Sequence, residues 1–520
     1  MFLNASRLSC WRNQHTTLGI AISFTAISLC PSNCSGDPPN SLGLSSTHAS
    51  TLVPDDRIDR TEPRSSRPNF LLILTDDHGY GDVSCYQTHS HRITSNPQLV
   101  DIHTPNIDQI GKEGIVYWNM RANATVCSPT RAALLTGKYP DRVGVPGVIR
   151  THSNDSWGHF TSNTKTLPDY LAQAGYHTGM VGKWHLGLES PNLPNQRGFG
   201  YFHGFLGDMM DSYFTHQRHG KNYMRLNQET ITPEGHATEL FADWACNYLR
   251  ERSKTPEQPF FLYLAFNAPH FPIEPPKDAL EKAQRDHPNL APMRTANIAF
   301  VEHLDACIGR VMDTLKETGL DQNTLVALTA DNGGSLPHGQ SNFPWRDGKQ
   351  SHYDGGLRVP FLIRWPQKIQ AGTESDYQGL VFDLFPTFLE LAEVPHLSDL
   401  DAQSLCSTFS GTQDRKQPSQ ESDNLTRDLY FVRREGGPRY GGKSFEALIR
   451  GEWKLLQNDP YSPLELYHLA SDPFEQTDLA QSYPEKLLEL AQALRGNIQR
   501  GGMTPWQSNP PAAANSETSR

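Results

Sequence analysis

Four apolar runs of strand length constrain the fold of this 520-residue chain more than any other feature. They span residues 70–74, 176–181, 260–266 and 325–328, and segments with helical periodicity lie between them. Largely apolar strands that alternate with helices are typical of a sheet buried on both faces. The sequence therefore predicts an α/β fold in which a central, mostly parallel sheet is sandwiched by helices.

Each of the four runs leads directly into polar side chains. These are Asp76 and Asp77, then Lys183 and His185, then His270, and finally Asp331 and Asn332. In open α/β sheets, ligands bind beyond the carboxyl ends of the strands. Because all four groups follow such ends, we expect them to form one site at one edge of the sheet.

Two of these groups supply oxygen atoms that suit a metal ion. Asp76 and Asp77, together with Asp331 and Asn332, offer hard oxygen ligands, with neither a thiolate nor a pair of imidazoles. Such ligands favour calcium, with magnesium as a substitute, over zinc. Taken singly, the first pair could cap a helix and the second could form a turn with Gly333. Two such pairs at one sheet edge favour the metal site.

A cysteine stands at the start of a short predicted helix. The segment Cys127-Ser-Pro-Thr-Arg131 precedes Ala-Ala-Leu-Leu-Thr136-Gly137, in which Pro129 suits the first turn and Gly137 stops the helix. Backbone N–H groups at a helix start favour an anion, and Arg131 follows one turn later. The segment indicates a reactive site, and the alternative is a buried structural cysteine with a surface arginine.

The charge of the chain restricts its partners. The formal net charge is -11 and no basic block is present, which argues against nucleic acid and anionic membranes as partners. An anionic substrate would need a locally positive pocket. Arg131, Lys183 and Lys349 are the candidates to supply it.

The two ends of the chain differ in composition from its centre. Residues 1–35 carry Arg7 and Arg12 before an apolar stretch and predict a secretory signal peptide, with a lipid-anchored Cys30 or Cys34 as the alternative. No other segment is long and apolar enough to span a membrane.

The rest of the chain divides into five segments. Residues 36–66 predict a flexible linker, 67–395 the main domain, 396–428 a connection, 429–500 a small C-terminal α+β subdomain and 501–520 a disordered tail. Within the subdomain we expect strands at 429–434, 445–450 and 453–457 and a helix at 484–495.

Five cysteines lie outside the leader. They are Cys85, Cys127, Cys246, Cys307 and Cys406, and no CxxC pair is present, which argues against a zinc site and a disulfide framework. Cys307 lies on an apolar helical stripe and is predicted to belong to the core. A disulfide among Cys85, Cys246 and Cys406 stays open.

Several motifs together resemble one enzyme family. The segment Cys127-Ser-Pro-Thr-Arg131 is similar to the Cys-x-Pro-x-Arg signature of the type I, formylglycine-dependent sulfatases, of the arylsulfatase and N-acetylgalactosamine-6-sulfatase type. The other matches occur in family order within residues 68–475, at 76–82, 175–187, 268–270, 331–334 and 348–360. The resemblance implies an alkaline-phosphatase-like fold, a catalytic domain over 67–395, and an antiparallel sheet in the C-terminal subdomain.

The resemblance also implies the cofactors and partners. A maturation enzyme would convert Cys127 into formylglycine, whose hydrated gem-diol would attack a sulfate ester and give a sulfated-enzyme intermediate. Calcium would be held by Asp76, Asp77, Asp331 and Asn332 and would also bind a sulfate oxygen. Asp331 would take the proton of the attacking hydroxyl. The substrate would be a sulfated small molecule or oligosaccharide.

For the remaining residues the resemblance implies charge stabilisation and proton transfer. Arg131 and Lys183 would hold the diol and the sulfate charge. His270, with help from Lys349, would protonate the leaving alcohol, and His185 would deprotonate the remaining hydroxyl so that sulfate is released. Taken alone, such a histidine is usually structural and such a lysine is usually solvated.

A glycine-rich segment, residues 198–208, is a candidate rim for the substrate pocket. It is followed by further aromatic and cationic side chains, namely Tyr213, His216, Arg218 and His219. These residue types suit a sulfated sugar better than a lipid, and an ordinary surface loop is the alternative. His338 and His352 are further candidates for contact with the substrate.

Three functions are to be compared. The first is a calcium-dependent sulfatase exported to the exterior, the periplasm or a lysosome-like compartment. The second is a phosphodiesterase or phosphonate hydrolase of the same superfamily, although the metal ligands of this sequence suit a transition metal poorly. The third is a sulfated-glycan binding protein with a dead site, and the complete set of catalytic residue types argues against it.

Overall fold

The computed structural model describes residues 67–94, 101–152, 156–410, 427–435 and 444–506. The predicted signal peptide and linker lie outside the described residues, as do most of the predicted tail and part of the predicted connection. Within the described ranges, no helix combines the length and the apolar composition that crossing a bilayer requires.

The main sheet has ten strands, and five neighbouring strands at its centre run parallel. In chain order the strands of the protein are β1 (Asn69–Thr75), β2 (Ile115–Tyr117), β3 (Met120–Arg121), β4 (His177–Lys183), β5 (Tyr201–Phe205), β6 (Gln217–Arg218), β7 (Lys221–Asn222), β8 (Met224–Leu226), β9 (Glu229–Thr230), β10 (Phe260–Ala265), β11 (Thr324–Ala330), β12 (Phe361–Arg364), β13 (Thr373–Ser375), β14 (Gly379–Leu380), β15 (Asp428–Arg434), β16 (Ser444–Arg450), β17 (Trp453–Gln457) and β18 (Glu465–His468).

The order of the main sheet is β13-β2-β12-β11-β1-β10-β4-β5-β8-β9. The parallel strands are β11, β1, β10, β4 and β5, and the flanking β12 and β8 run antiparallel to them. All four strands predicted from the apolar runs are therefore confirmed, and they lie side by side. Their carboxyl ends meet at the same edge of the sheet.

Helices cover both faces of this sheet, as the apolar strands predicted. They are α1 (Ser84–Thr94), α2 (Pro105–Lys112), α3 (Cys127–Thr136), α4 (Leu167–Gln173), α5 (Ala237–Arg252), α6 (Lys277–Asp286), α7 (Pro292–Glu317), α8 (Asp354–Leu357), α9 (Leu384–Leu391) and α10 (Pro484–Gly501). On β1, Phe70, Leu72 and Leu74 pack in a core that includes α3, α4 and α9. Leu71 and Ile73 point to the other face and pack with α2, α5 and α7. This alternation explains why residues 70–74 of the strand are apolar on both faces.

One segment that the sequence suggested as a loop is a strand. Residues 201–205 form β5, which extends the parallel part of the sheet next to β4. Gly204 lies opposite Gly182 of β4, and a Cβ atom on Gly204 would overlap the carbonyl oxygen of Gly182. Glycine serves here to let two backbones approach closely. The glycine-rich composition therefore did not indicate a surface loop.

The C-terminal part forms a separate antiparallel sheet. Its order is β15-β16-β17-β18, and Leu490 and Leu494 of α10 pack in its core together with Leu357 and Tyr139 from the main part. The three predicted strands and the helix are confirmed. Strand β18 was not predicted, and α10 continues to Gly501, beyond the predicted end at residue 495.

The cysteines of the described ranges are all free thiols. The disulfide left open among Cys85, Cys246 and Cys406 therefore does not form in this structure. Cys307 is buried in the core on α7, which confirms its predicted position.

Candidate active site

The predicted site residues meet at the carboxyl edge of the parallel strands. Backbone bonds align the segments beyond the strands, because Asp331 N donates to Thr75 O at 3.1 Å and Asp76 N donates to Ala268 O at 3.2 Å. This pairing places the segment after β1 between the segments after β11 and β10. The structure brings together all ten candidates, namely Asp76, Asp77, Cys127, Arg131, Lys183, His185, His270, Asp331, Asn332 and Lys349.

Cys127 is the first residue of α3, and its thiol points at the acidic residues after β1. The helix ends at Gly137, whose φ of 65° explains the glycine that the sequence places there. The Cys127 thiol donates to Asp76 Oδ1 at 3.2 Å. Burial, together with the negative charges of Asp331 and Asp76, raises the pKa of this thiol well above its usual value. Burial and the two carboxylates therefore outweigh the positive charges of Lys349 and Lys183, and an unmodified Cys127 is held as a neutral thiol.

Three cations balance three buried carboxylates at this edge. Each carboxylate has its own cationic partner: Lys183 Nζ binds Asp76, Arg131 binds Asp331 Oδ2 through Nε at 3.0 Å and Nη2 at 2.8 Å, and Lys349 Nζ binds Asp77 Oδ2 at 2.6 Å. Burial alone would raise the pKa of Asp77, but its interactions with His270 and with protonated Lys349 keep it below its usual value. The sequence predicted this positive pocket, and the carboxylates make the site close to neutral.

The acidic residues also form a cluster of oxygen atoms that fits a hard metal ion. Asn332 Nδ2 donates to Asp77 Oδ1 at 2.9 Å and to Gly333 O at 2.9 Å, which leaves Asn332 Oδ1 buried without a hydrogen-bond partner in the described residues. A buried acceptor without a partner is costly unless a donor or a cation satisfies it. Because the other ligands would be carboxylates, the donor set fits calcium or magnesium.

His270 has a defined tautomer. Its Nδ1 lies 2.6 Å from Phe271 O, and because a carbonyl oxygen only accepts, Nδ1 carries the hydrogen. The bare Nε2 therefore accepts from Lys349 Nζ at 3.1 Å. Burial lowers the pKa of His270 to about 3, although the charge of Asp77 opposes this shift. At neutral pH the pair thus consists of a neutral imidazole and a protonated lysine.

His185 has the opposite tautomer. Its Nε2 lies 2.7 Å from Ile149 O and must donate to that carbonyl, so the lone pair is on Nδ1. Nδ1 is buried and has no hydrogen-bond partner in the described part of the chain. Burial and the charges of Lys183 and Arg131 lower the pKa of His185 well below its usual value. The backbone of His185 has a φ of 58°, a left-handed conformation that is strained for this residue type.

The further candidates for substrate contact differ in position. The ring of His338 stacks on Phe271 at 4.2 Å, and Phe271 stacks on His270 at 4.4 Å, so His338 is the third ring of a stack that starts in the site. His352 is completely buried and lines no open surface. Tyr213 is also buried, and its hydroxyl donates to His270 O at 2.9 Å, so it stabilises the backbone of His270 and contacts no solvent-exposed surface.

The other residues suggested for the rim also differ in their exposure to solvent. His216 is buried and bonds Gly235 O, whereas Arg218 is partly exposed and pairs with Asp208 at 3.0 Å. His219 is exposed, and its ring lies 4.5 Å from that of His152. Of the four residues suggested after the glycine-rich segment, Arg218 and His219 reach solvent.

Sequence reasoning did not identify the segment that orients His185. Ile149 N donates to Ser128 Oγ at 3.1 Å, and Ile149 O accepts from His185. The segment is thereby tied to both α3 and the histidine. Because Ile149 acts through its backbone, and any residue carries a carbonyl, the sequence held no signal for it.

Comparisons with known proteins identify the family. Residues 68–394 match the model of the sulfatase family, and residues 342–500 match a model described as N-sulphoglucosamine sulphohydrolase, C-terminal. N-acetylgalactosamine-6-sulfatase of Homo sapiens is 32% identical over 365 residues, which cover 66% of this chain and 66% of that protein. Arylsulfatase J of Mus musculus is 27% identical over 485 residues, which cover 85% and 77%.

A solved structure extends this similarity to three dimensions. The crystal structure of Ps i-CgsB in complex with k-i-k-neocarrahexaose matches with a TM-score of 0.74 and 27% identity, over 85% of this chain and 95% of that one. The chain spans just under two thirds of the length of the human relative, 66%. Since the sulfatase model matches more than half of its residues, 68–394, the chain belongs to the sulfatase family.

Proposed function

We propose that this protein hydrolyses sulfate esters of a sulfated carbohydrate, with formylglycine at position 127 and calcium as the metal. The observation that carries the proposal is the arrangement at the strand ends, where residue 127 faces a cluster of hard oxygens with a free amide oxygen on Asn332. Around this cluster stand three cations and two histidines of fixed tautomer. Magnesium is the substitute that the same ligands would accept.

The protonation state of Cys127 supports its conversion. A thiol whose pKa is raised well above the usual value is a poor nucleophile, because the reactive form is the thiolate. In the modified protein the hydrated aldehyde supplies the nucleophilic oxygen. A maturation enzyme that recognises residues 127–131 is therefore the first partner, and it must act before the segment is buried.

The metal would be held by Asp76, Asp77, Asp331 and Asn332. It would draw charge from the sulfate group and lower the cost of placing an anion beside carboxylates. With the carboxylate charges neutralised in this way, the positive charges of the site are available to the substrate. Arg131 and Lys183 bind the sulfate oxygens, and Asp331 accepts the proton of the attacking hydroxyl.

Proton transfer is divided between the two histidines. Protonated Lys349 donates a hydrogen bond to the bare Nε2 of His270, so this pair holds the proton that the leaving alcohol needs. His185 presents a lone pair on Nδ1 and serves as the base that completes the release of sulfate. The carbonyl of Ile149 keeps that base in the required tautomer.

A carbohydrate substrate is supported by the relatives and by the rim. The human relative is N-acetylgalactosamine-6-sulfatase, and Ps i-CgsB was crystallised with k-i-k-neocarrahexaose. Arg218 and His219 at the rim suit a polar, anionic saccharide. Export as a secreted, periplasmic or lysosome-like protein is supported by the composition of residues 1–35.

The proposal is tested by comparing esters with matched leaving groups. Purified protein is assayed for release from an aryl sulfate, an aryl phosphonate and an aryl phosphodiester, with and without a chelator. We expect sulfate release that the chelator abolishes and calcium restores, and peptide mass spectrometry should find formylglycine at position 127. Cys127→Ala should abolish turnover, whereas the matched control Cys307→Ala, a buried cysteine on α7, should retain it.

Three results would overturn the proposal or its formylglycine. Faster phosphonate or phosphodiester cleavage that only zinc restores would identify the other hydrolase of the superfamily. Binding of a sulfated glycan without turnover, in protein whose residue 127 is modified, would identify a dead site. Full activity with an unmodified Cys127 would refute the formylglycine.

A further inference from the structure

The backbone turn that carries His270 lies beyond the end of the sheet. It spans residues 267–270, and we call it the His270 turn. The last paired residue of β10 on β1 is Ala265, after which Asp76 N donates to Ala268 O at 3.2 Å. All four residues of the turn are buried. Because a buried carbonyl without a partner is costly, the other carbonyls of the turn need donors from outside the sheet.

Two side chains supply these donors. The Tyr213 hydroxyl donates to Asn267 O at 2.7 Å and to His270 O at 2.9 Å. Between them, Pro269 O accepts from Gln340 Nε2 at 2.8 Å. A hydroxyl has one hydrogen, so Asn267 O and His270 O share it in a three-centre bond. These two carbonyls stand at the two ends of the His270 turn, and the one hydroxyl therefore closes it.

Tyr213 is itself held in place by its neighbours. Its backbone N donates to Glu274 Oε2 at 2.6 Å, and its carbonyl accepts from Ala237 N at 2.8 Å. Its ring packs edge-on against that of Phe300, with the ring centroids 4.9 Å apart. Glu274 follows His270 by four residues. The two segments thus fix each other, since a carboxylate after the turn binds the tyrosine backbone and the tyrosine hydroxyl binds the turn.

The Tyr213 hydroxyl keeps its hydrogen and lies out of reach of a substrate. Burial, together with the negative charges of Asp76 and Asp77, raises the pKa of this hydroxyl well above its usual value, so it remains a donor at physiological pH. The residue is 1% exposed. Any effect of the hydroxyl on the reaction must therefore pass through the groups that it binds.

We infer that Tyr213 is a positioning residue for the acid step, because its hydroxyl fixes the turn from which His270 reaches Lys349 and the leaving oxygen. This inference rests on the proposed function. His270 Nε2 lies 3.1 Å from Lys349 Nζ, and a shift of the His270 turn would carry the imidazole away from that contact. A misplacement of about 1 Å in a reacting group can cost about 10²-fold in rate.

The test uses Tyr213→Phe, which removes the hydroxyl and keeps the ring. We expect kcat for a sugar sulfate, whose alcohol needs a proton, to fall by about 10–100-fold, and that for an activated aryl sulfate to change little. KM should be unchanged, because Tyr213 contacts no substrate. In a His270→Ala background the same substitution should have no further effect, since the group that it positions is gone.

The matched control is Tyr86→Phe. The Tyr86 hydroxyl is also buried and also donates to two backbone carbonyls, Tyr117 O at 2.9 Å and Phe361 O at 2.8 Å, which belong to β2 and β12. Its loss should lower the melting temperature about as much as Tyr213→Phe does. It should leave the ratio of the sugar sulfate rate to the aryl sulfate rate unchanged.

The outcomes separate positioning from a general structural role. An unchanged rate, an equal loss on both esters, or a further loss in the His270→Ala background would overturn the inference and leave the proposed function in place. If the wild type cleaves phosphonate esters instead of sulfates, the proposed function fails, and a loss confined to phosphonates with poor leaving groups would still support the role of Tyr213. A wild type that cleaves neither class overturns both.

Discussion

At the scale of single residues, two backbone carbonyls give the two histidines different chemistry. Phe271 O fixes the hydrogen of His270 on Nδ1, and Ile149 O fixes that of His185 on Nε2. The free nitrogen of His270 faces a protonated lysine, while that of His185 has no partner in the described residues. Both imidazoles are neutral at physiological pH, because burial lowers both pKa values. Both imidazoles are uncharged, so the groups around each histidine determine whether it takes part in the acid step or acts as the base.

A leaving-group series tests this assignment. His270→Ala should slow esters of poorly leaving sugar alcohols by about 10²–10⁴-fold, the range of general acid catalysis, and activated aryl sulfates far less. Lys349→Ala should show the same pattern, since the proton belongs to the pair. His185→Ala should slow all esters alike, because it acts after the alcohol has left. Steady-state rates over aryl sulfates of graded leaving-group pKa provide the measurement.

The control for this series is His338→Ala, the outer ring of the stack, which lies two rings from the proton-transfer step. It should not change the dependence on the leaving group. Equal sensitivity of the His185→Ala and His270→Ala proteins to leaving-group pKa would show that the two roles are wrongly assigned.

At the scale of elements, the parts of the fold that the sequence predicted are those with long, uniform patterns. The four buried strands and α7 are long enough for their sequence patterns to be recognised. Because ligands bind beyond the carboxyl ends of parallel strands, the sequence then predicted that Asp76 and Asp331 lie close together. Strand β18 was missed because it has four residues with Glu465 and His468 at its ends. Strand β5 was missed because its one glycine, Gly204, is required by a neighbouring backbone, a contact that depends on the tertiary fold.

Gly204 provides a test of that close contact between strands. Gly204→Ala would place a methyl group against the backbone of Gly182, which precedes Lys183, and should cost about 1–3 kcal/mol of stability, as overpacking does. The matched control is Gly496→Ala in α10, where nothing lies within 4 Å of the added atom; it should stabilise by about 0.5–1 kcal/mol. Denaturant unfolding gives both values. Equal effects of the two variants would show that β4 and β5 do not approach as closely as described.

At the scale of the whole molecule, a buried ionic network connects the C-terminal sheet to the catalytic part, which is the part of the chain that contains the main sheet and the site. Asp354, at the start of α8, pairs with Arg121 and Arg358 of the catalytic part and with Lys454 of β17, each at 2.7 Å. Lys454 also pairs with Glu475 at 2.7 Å. Because Asp354 lies five residues after Lys349, the network supports the segment that carries the proposed acid. We expect the C-terminal sheet to be required for activity although it supplies none of the ten site residues.

Asp354→Asn should therefore be strongly destabilising, by about 3–5 kcal/mol, because it leaves buried cations without their carboxylate. Burial alone would raise the pKa of Asp354, but Arg121, Lys454 and Arg358 hold it well below its usual value. A depressed folded pKa gives stability that is fully present above the unfolded pKa, about 4, and is lost as the pH falls through the folded pKa. The difference in free energy of unfolding between wild type and Asp354→Asn should thus be largest near neutral pH and decrease as the pH falls.

Denaturant unfolding at several pH values between 7 and 3 measures this difference. The control Lys254→Ala removes an exposed surface pair with Glu251 and should change stability by about 0.5 kcal/mol or less at every pH. A difference for Asp354→Asn that stays constant from neutral to acid pH would mean that the carboxylate charge does not hold the two parts together. The cost of the variant would then have to come from packing alone.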